Sequence, residues 1–360
     1  MDKSTLRRLF LIFPLYADHN SARCKVLFVT NKNGIKFACY IYQQRLEYTD
    51  IRRIVLECER QGFDSVWLKD NFTSFWLNAY FSNKEDEEPN SEDPILECWT
   101  TLSSLATLTK RIRLGAILVN IHRIPSVTAK MLSTLDVISN GRIEFGLSAG
   151  WYKNEIKSYG LSFPKALTRI AMLEESIIII KKMLTESQAP SFEGKHYTIS
   201  DAKCSPKPIQ KPHPPIWIGG GGKRTLQLVA KYADGWNYGL CTYDEYLSKI
   251  SVLKDCCKAV GRDHKGIVKA WHTIMLLGQK DNEIKIIKTK ASDHTSNCSS
   301  IWKKNPKVAI VGTPDDIIEE IKKYIIVGGV KYFTIHFPDL RSLNLFAKSV
   351  IPNFRGEQVN

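Results

Sequence analysis

The chain has no Cys-x-x-Cys pair and no His-Glu-x-x-His run among its 360 residues. Its nine cysteines are scattered from Cys24 to Cys298, and Cys256 and Cys257 are adjacent. An odd count without regular spacing argues against a disulfide framework and against a zinc site, so no metal is expected. It also points to a reducing compartment, here the cytoplasm. No apolar run approaches the roughly 20 residues that a membrane span needs, so no membrane partner is expected. The formal net charge is +14. No zinc finger, RNA-binding aromatic signature or basic-region heptad accompanies it. The Lys and Arg residues are spread along the chain rather than blocked, which reads as a solvated basic surface or one suited to an anionic cofactor, and not as a nucleic-acid interface.

What is present is enough for one large domain. Hydrophobic residues make up 43% of the chain, too many for a disordered protein. Residues 1–33 stand apart. Arg7 and Arg8 precede a short apolar stretch, Leu9 to Tyr16. Pro14, the acidic Asp2 and the lack of a small-residue cleavage site speak against a secretory signal. The expectation is an N-terminal extension over 1–33 and one domain over 34–360.

The most informative segment runs from Pro214 to Asn237. A short apolar strand, Pro215 to Ile218, enters four glycines, Gly219, Gly220, Gly221 and Gly222; Lys223 and Arg224 follow at the start of a helix. Glycine lets backbone N–H groups approach a ligand closely, and a helix start offers unpaired donors with a partial positive charge. Two cations complete a phosphate cradle. A Walker loop is excluded because Arg224 separates Lys223 from Thr225. A Rossmann fingerprint is excluded because the loop lies past mid-chain and Asp234 follows too soon.

The rest alternates strand and helix. Strands are expected at Gly34 to Tyr42, Ser65 to Lys69, Ile112 to Asn120, Ile143 to Ser148, Pro215 to Ile218, Gly235 to Tyr238, Val268 to Leu277 and Tyr332 to Phe337. Helices are expected at Tyr48 to Gln61, from Pro94 to about Thr109, from Pro125 to about Ser139, and at about Ala166 to Leu184. Four more follow at about Lys223 to Ala233, Tyr243 to Val260, Pro314 to Val327 and Leu340 to Val350. Ser191 to Ile199 reads as a small hairpin, and Gly278 to Lys307 as a polar insertion. Eight βα units in one domain indicate a TIM (β/α)8 barrel.

In such a barrel the active site lies where strands end. That places Tyr42-Gln43-Gln44, Lys69-Asp70-Asn71, Leu118 to His122, Ser148 to Asn154, Gly219 to Arg224, Trp236 to Tyr238, His272 and His336 around one mouth. No Ser-His-Asp triad, glycosidase carboxylate pair or metal-ligand cluster stands out. Aromatic and amide groups dominate, as on a surface that holds a flat ring.

These residues resemble the luciferase-like monooxygenase family over about 35 to 340. The resemblance runs through Gly62 to Asp70, Arg113-Leu114-Gly115, Ala129-Lys130-Met131, Ser139 to Arg142, and Gly146 to Tyr152. It continues through the Gly219 loop, Ala233 to Asn237, and Gly312-Thr313-Pro314. The wording is most similar to the branch that uses the deazaflavin coenzyme F420, with FMN as the alternative cofactor. The resemblance implies a cofactor site. Asp70 would bind the ring or its hydroxylated side chain. Ile117-Leu118 would form a bulge with a non-prolyl cis peptide against one ring face. Asn120 would contact the cofactor just beyond, Ala149, Gly150 and Asn154 would line the ring edge, and Gly219 to Arg224 would hold the phosphate.

The chain departs from the family at two places. Many relatives carry Asp-His where this chain has Asp70-Asn71, and asparagine cannot shuttle a proton near neutral pH. A sugar-phosphate-oxidising branch carries Glu where this chain has Trp151. His122, His336 and Tyr152 are therefore candidates, with Asn71 itself, for the catalytic set. Trp67, Trp151 and Trp236 would wall an apolar pocket, and Phe72, Phe75, Trp76 and Tyr80 would close over it. The expected activity is hydride transfer between coenzyme F420 and a small organic substrate, in a homodimeric protein. An FMN-dependent monooxygenase and a non-catalytic barrel are the alternatives.

Overall fold

The computed structural model describes residues 34–73, 93–285 and 309–355. The N-terminal 33 residues, the side chains Phe75, Trp76 and Tyr80, and most of the expected insertion lie outside the described residues.

Parallel strands covered on both faces should be apolar almost throughout, and these are. β1 (Lys36–Ile41), β2 (Ser65–Lys69), β3 (Arg113–Val119) and β4 (Ile143–Ser148) come first. A two-stranded hairpin follows, β5 (Phe192–Glu193) and β6 (Thr198–Ile199). β7 (Ile216–Gly219), β8 (Gly235–Gly239), β9 (Val268–Leu277), β10 (Ala309–Gly312) and β11 (Tyr332–His336) complete the set. The strand order β9-β11-β1-β2-β3-β4-β7-β8 closes on itself through β8–β9 pairing, all parallel. The fold is therefore a TIM barrel, with every expected strand in place. One strand was not anticipated: β10 pairs with the far half of β9, Ile274 to Leu277, beyond the point where β8 ends.

The helices α1 (Tyr48–Arg60), α2 (Cys98–Leu108), α3 (Pro125–Ile138), α4 (Lys153–Ser158), α5 (Ala166–Thr185), α6 (Lys223–Tyr232), α7 (Tyr243–Ala259), α8 (Pro314–Gly328) and α9 (Leu340–Ser349) surround the sheet. α8 shows how local sequence fixes an element. Thr313 and Asp316 form a reciprocal capping box, Pro314 opens the first turn, and Gly329 ends the helix at φ 62°. α2 corrects an expectation. It starts at Cys98, not Pro94, because the Glu97 carboxylate accepts the Trp99 and Thr100 N–H groups. α4 is a short helix between β4 and α5 that the expected elements do not include.

Strand alternation separates the two largest parts of the core. The larger part lies between sheet and helices and includes Phe37, Val66, Leu68, Leu114, Leu118, Phe145, Ile218 and Trp236. The smaller part fills the barrel itself: Ala38, Trp67, Trp217, Ala270 and Tyr332. Trp67 lies across Gly115, where an added Cβ would sit 2.5 Å from the indole. Below it Arg113 pairs with Glu144, which also accepts from Trp217 Nε1 at 2.6 Å. The floor is thus closed, and the inward positions beyond it are left for the mouth.

Candidate active site

Two clusters of side chains gather at the strand ends. The first gathers the loops after β2, β3 and β4. Asp70 is 2% exposed. Its carboxylate accepts from both terminal nitrogens of Arg123, at 2.9 and 3.0 Å, and from the Val119 N–H at 2.8 Å. Arg123 also reaches Glu97. Burial would raise the Asp70 pKa, but His122 and Arg123 more than offset it and hold the carboxyl below its ordinary value. Glu155, at the core-facing side of α4, accepts from Asn71 Nδ2 at 3.0 Å, from the Phe72 and Thr73 N–H groups at 2.9 Å, and from Thr73 Oγ1 at 3.0 Å. His122 lies between the two carboxylates, Nδ1 3.4 Å from Asp70 and Nε2 3.6 Å from Glu155. Its ring stacks on Phe72 at 4.2 Å.

This arrangement sets the expected roles in a different light. Asp70 and Asn71 come together with His122, but their polar atoms are turned into the protein, where they anchor the loop after β2. Sequence reasoning misses the two residues that hold this cluster, Arg123 and Glu155. The spacing Asn154-Glu155 is visible, but nothing in a single sequence separates a loop-anchoring carboxylate from a surface one.

The second cluster gathers the ends of β1, β2, β9 and β11. Tyr42 Oη lies 3.0 Å from His272 Nε2, and the His272 Nδ1 lies 2.9 Å from the Thr334 carbonyl. A carbonyl can only accept, so Nδ1 carries the proton and Nε2 accepts from the tyrosine. His336 makes the same kind of bond, Nδ1 to the Tyr40 carbonyl at 3.1 Å, and its ring stacks on Tyr42 at 4.2 Å. Burial lowers both histidines to about 4, so both are neutral at physiological pH. Lys69, at the end of β2, has its amine 5.3 Å from the centre of the Tyr42 ring. Burial lowers it to about 7, against the opposing pull of Glu155.

The glycine loop forms a third, separate feature at the end of β7. Gly220 adopts φ +122° and its carbonyl accepts from Trp236 Nε1 at 2.8 Å. A Cβ on Gly219 would sit 2.9 Å from Ile117, and one on Gly221 would run into the Tyr238 ring. Gly222 caps α6 without any side-chain hydrogen bond, and Lys223 and Arg224 are exposed. The first-turn N–H groups therefore open outward between two cations.

Other expectations need correction. The only cis peptides among the described residues precede Pro206 and Pro212, so none lies at Ile117-Leu118. β3 keeps an unbroken ladder with β4 through Ile117–Gly146, Leu118–Leu147 and Val119–Ser148, and Asp70 fixes its end. Ile117 faces inward, but Leu118 belongs to the outer core. Asn120 is buried beside the Tyr197 hydroxyl, away from the barrel axis. Gly150, at φ +79°, passes close to Val119, and its carbonyl accepts from Arg169 Nε at 3.2 Å. Ala149 packs against the outer core, and Asn154 is half-buried on α4. Tyr152 is 1% exposed and stacks on Trp151. Trp67 is floor and Trp236 is outer core, so neither walls the mouth.

Comparison with known proteins agrees with the barrel fold. The profile described as luciferase-like monooxygenase matches residues 34–284. An F420-dependent glucose-6-phosphate dehydrogenase of Amycolatopsis mediterranei (strain U-32) is 24% identical over 336 residues, covering 85% of this chain and 94% of that protein. An F420-dependent secondary alcohol dehydrogenase, solved with an F420-acetone adduct, superposes with a TM-score of 0.74 at 17% identity, over 89% of this chain and 99% of that one. A riboflavin lyase solved with a modified FMN gives the same score at 14% identity, over 89% and 91%.

Proposed function

This chain belongs to the luciferase-like monooxygenase family, and we propose that it moves a hydride between coenzyme F420 and the carbinol carbon of a small alcohol. The observation that carries this reading is the loop Gly219 to Gly222. It is stripped of Cβ atoms where Ile117 and Tyr238 approach, and it leads into an uncapped helix start flanked by Lys223 and Arg224. Such a cradle suits a phosphate. The names of relatives support the rest: an F420-dependent sugar-phosphate dehydrogenase in sequence and an F420-dependent secondary alcohol dehydrogenase in fold.

When bound, a deazaflavin supplies a ring carbon that accepts or gives up hydride. This chain's own residues would do the remainder. The α6 N–H groups with Lys223 and Arg224 bind the phosphate. Ile117 and Gly219, adjacent on the inner wall, present a flat apolar surface to a ring. Tyr42, His272 and His336 offer a neutral polar pole to a substrate oxygen. Enclosure by the barrel orients the reactants and excludes water.

Titration of the protein with F420 and with FMN, followed by fluorescence quenching, tests the reading. F420 should bind the more tightly. The double variant Lys223→Ala/Arg224→Ala should weaken it at least about tenfold, since charge-assisted contacts contribute roughly 1.5–3 kcal/mol. Tighter FMN binding would make the chain a flavin enzyme. No quenching by either would leave a barrel without this chemistry.

A further inference from the structure

Exposure along the strands marks where the barrel opens. Most strand residues are buried, but an inward residue near the end of six strands keeps accessible surface: Tyr40 of β1, Ile117 of β3, Ser148 of β4, Gly219 of β7, His272 of β9 and His336 of β11. The closed strand order puts β11 four strands from β4 in either direction. His336 and Ser148 therefore stand on opposite walls. Ile117 and Gly219 flank Ser148 on one wall, and Tyr40 and His272 flank His336 on the other.

Hydrogen bonds fix which atoms of the His336 wall carry protons. His336 Nδ1 lies 3.1 Å from the Tyr40 carbonyl, which only accepts, so Nδ1 holds the single proton of the neutral ring. Burial keeps that ring neutral at physiological pH. Nε2 is left with a lone pair. It has no hydrogen-bond partner among the described residues and is not one of their closed-off polar atoms, so it opens to the mouth. His272 is protonated in the same way, but the Tyr42 hydroxyl already donates to its Nε2 at 3.0 Å. Tyr42 has no second proton to give. Across the mouth, Ser148 Oγ donates to the Leu118 carbonyl at 3.3 Å. The Lys69 amine is buried and does not reach the mouth. His336 thus presents an open acceptor, and neither His272 nor Tyr42 beside it supplies a donor.

We propose that His336 Nε2 accepts the hydrogen bond of a substrate hydroxyl, so that the site takes a small alcohol in preference to the carbonyl compound it becomes. An alcohol brings a donor to the lone pair. A ketone brings a second acceptor, and the two stay unpaired in a site shielded from water. The wall therefore favours loading the reduced substrate and releasing the oxidised one. His336 sets specificity here and takes no proton. This rests on the deazaflavin reading above.

The first test needs neither cofactor nor substrate. In full-length protein labelled with 15N-histidine, the ring signals that His336→Phe removes should show a protonated Nδ1 and a bare Nε2 at pH 7. A proton on Nε2 would overturn the proposal. The second test uses protein loaded with oxidised F420 and ligands that cannot react with it. Tertiary alcohols lack a carbinol hydrogen, so tert-butanol is paired with acetone and 1-methylcyclohexanol with cyclohexanone. Wild type should hold each alcohol more tightly than its ketone. His336→Phe keeps a ring against Tyr42 but loses the lone pair, so the ratio of alcohol to ketone affinity should fall about tenfold. Tyr40→Phe, which removes a neighbouring hydroxyl, should keep the wild-type ratio. An unchanged ratio in His336→Phe, or a fall in Tyr40→Phe instead, would sink the assignment. Binding of no member of either pair would sink it too, with F420 binding left intact. Failure of wild type to quench F420 fluorescence would overturn the cofactor assignment; the pairs are then measured on protein alone, where an unchanged ratio in His336→Phe still overturns the role of His336.

Discussion

The two sides of the mouth hold similar numbers of polar side chains and treat them oppositely. On the side of β2, β3 and β4, carboxylates meet cations and backbone donors. Asp70 has Arg123 and the Val119 N–H; Glu155 has Asn71, Phe72 and Thr73. Charge is kept and fully satisfied, which serves to fix loops. On the side of β1, β9 and β11, burial holds His272 and His336 in neutral forms, and Lys69 is brought to the edge of losing its charge. Groups near a protonation change, in a wall that faces the barrel axis, are what proton-coupled chemistry needs. The difference teaches that a polar residue at a strand end is not yet a site residue; its partners decide.

The comparison breaks most visibly when each side loses one cation. Arg123→Met removes the guanidinium that pairs with buried Asp70 and leaves only His122 beside it, which should destabilise the fold by about 3–5 kcal/mol. Lys69→Met should do the reverse. The unfolded chain protonates this lysine up to its ordinary value of 10.5, the folded one only up to about 7. Between those limits the unfolded state holds more protons, so stability rises with pH. The penalty is complete below about pH 7, where removal of the amine should stabilise by several kcal/mol, and it vanishes near 10.5. Urea unfolding at pH 7 and pH 10 measures both variants. A loss of stability in Lys69→Met at pH 7 would place the lysine with the ion-paired side.

A smaller effect sharpens the neutral side. His272 and His336 protonate near 6.5 when unfolded and at about 4 when folded. Through that window the unfolded state again holds more protons, so stability falls as pH drops from 6.5 to 4 and is level on either side. Each histidine accounts for about 3 kcal/mol of that acid limb. His272→Phe should flatten the limb by roughly half in urea titrations at stepped pH. An unchanged slope would mean that His272 is already charged in the fold.

Much of this molecule is legible in its amino-acid pattern. The eight strands read as short apolar runs, because parallel strands covered on both faces have to be apolar. The end of each strand then marks the mouth, and Tyr42, Lys69, His272 and His336 all fall there. The pattern does not tell which of them keep a charge. That depends on partners far away in sequence: Thr334 for His272, Tyr40 for His336, Arg123 for Asp70. The β3 bulge fails for a related reason. The Asp70 carboxylate, expected to reach a cofactor, instead pins the Val119 N–H, and the ladder to β4 stays regular. Strand alternation alone would have turned Leu118 away from the mouth and Lys69 toward it.

The smallest effect concerns Asn71, which joins the two readings of the site. Its amide donates to Glu155 at 3.0 Å, the carboxylate that also holds the Phe72 and Thr73 N–H groups. Asn71→Ala removes one bond to a charged acceptor and leaves the other three in place, so the fold should lose about 1.5–3 kcal/mol. F420 affinity and the pH profile of hydride transfer should then match wild type, because the side chain is turned into its loop. Asn71→His is the sharper variant. A histidine there would have to break with Glu155 to face the mouth, so no new titration near pH 6–7 should appear in single-turnover hydride transfer. A new titration in that variant would show that residue 71 reaches the reacting atoms, and would move the chemistry to the side of Asp70.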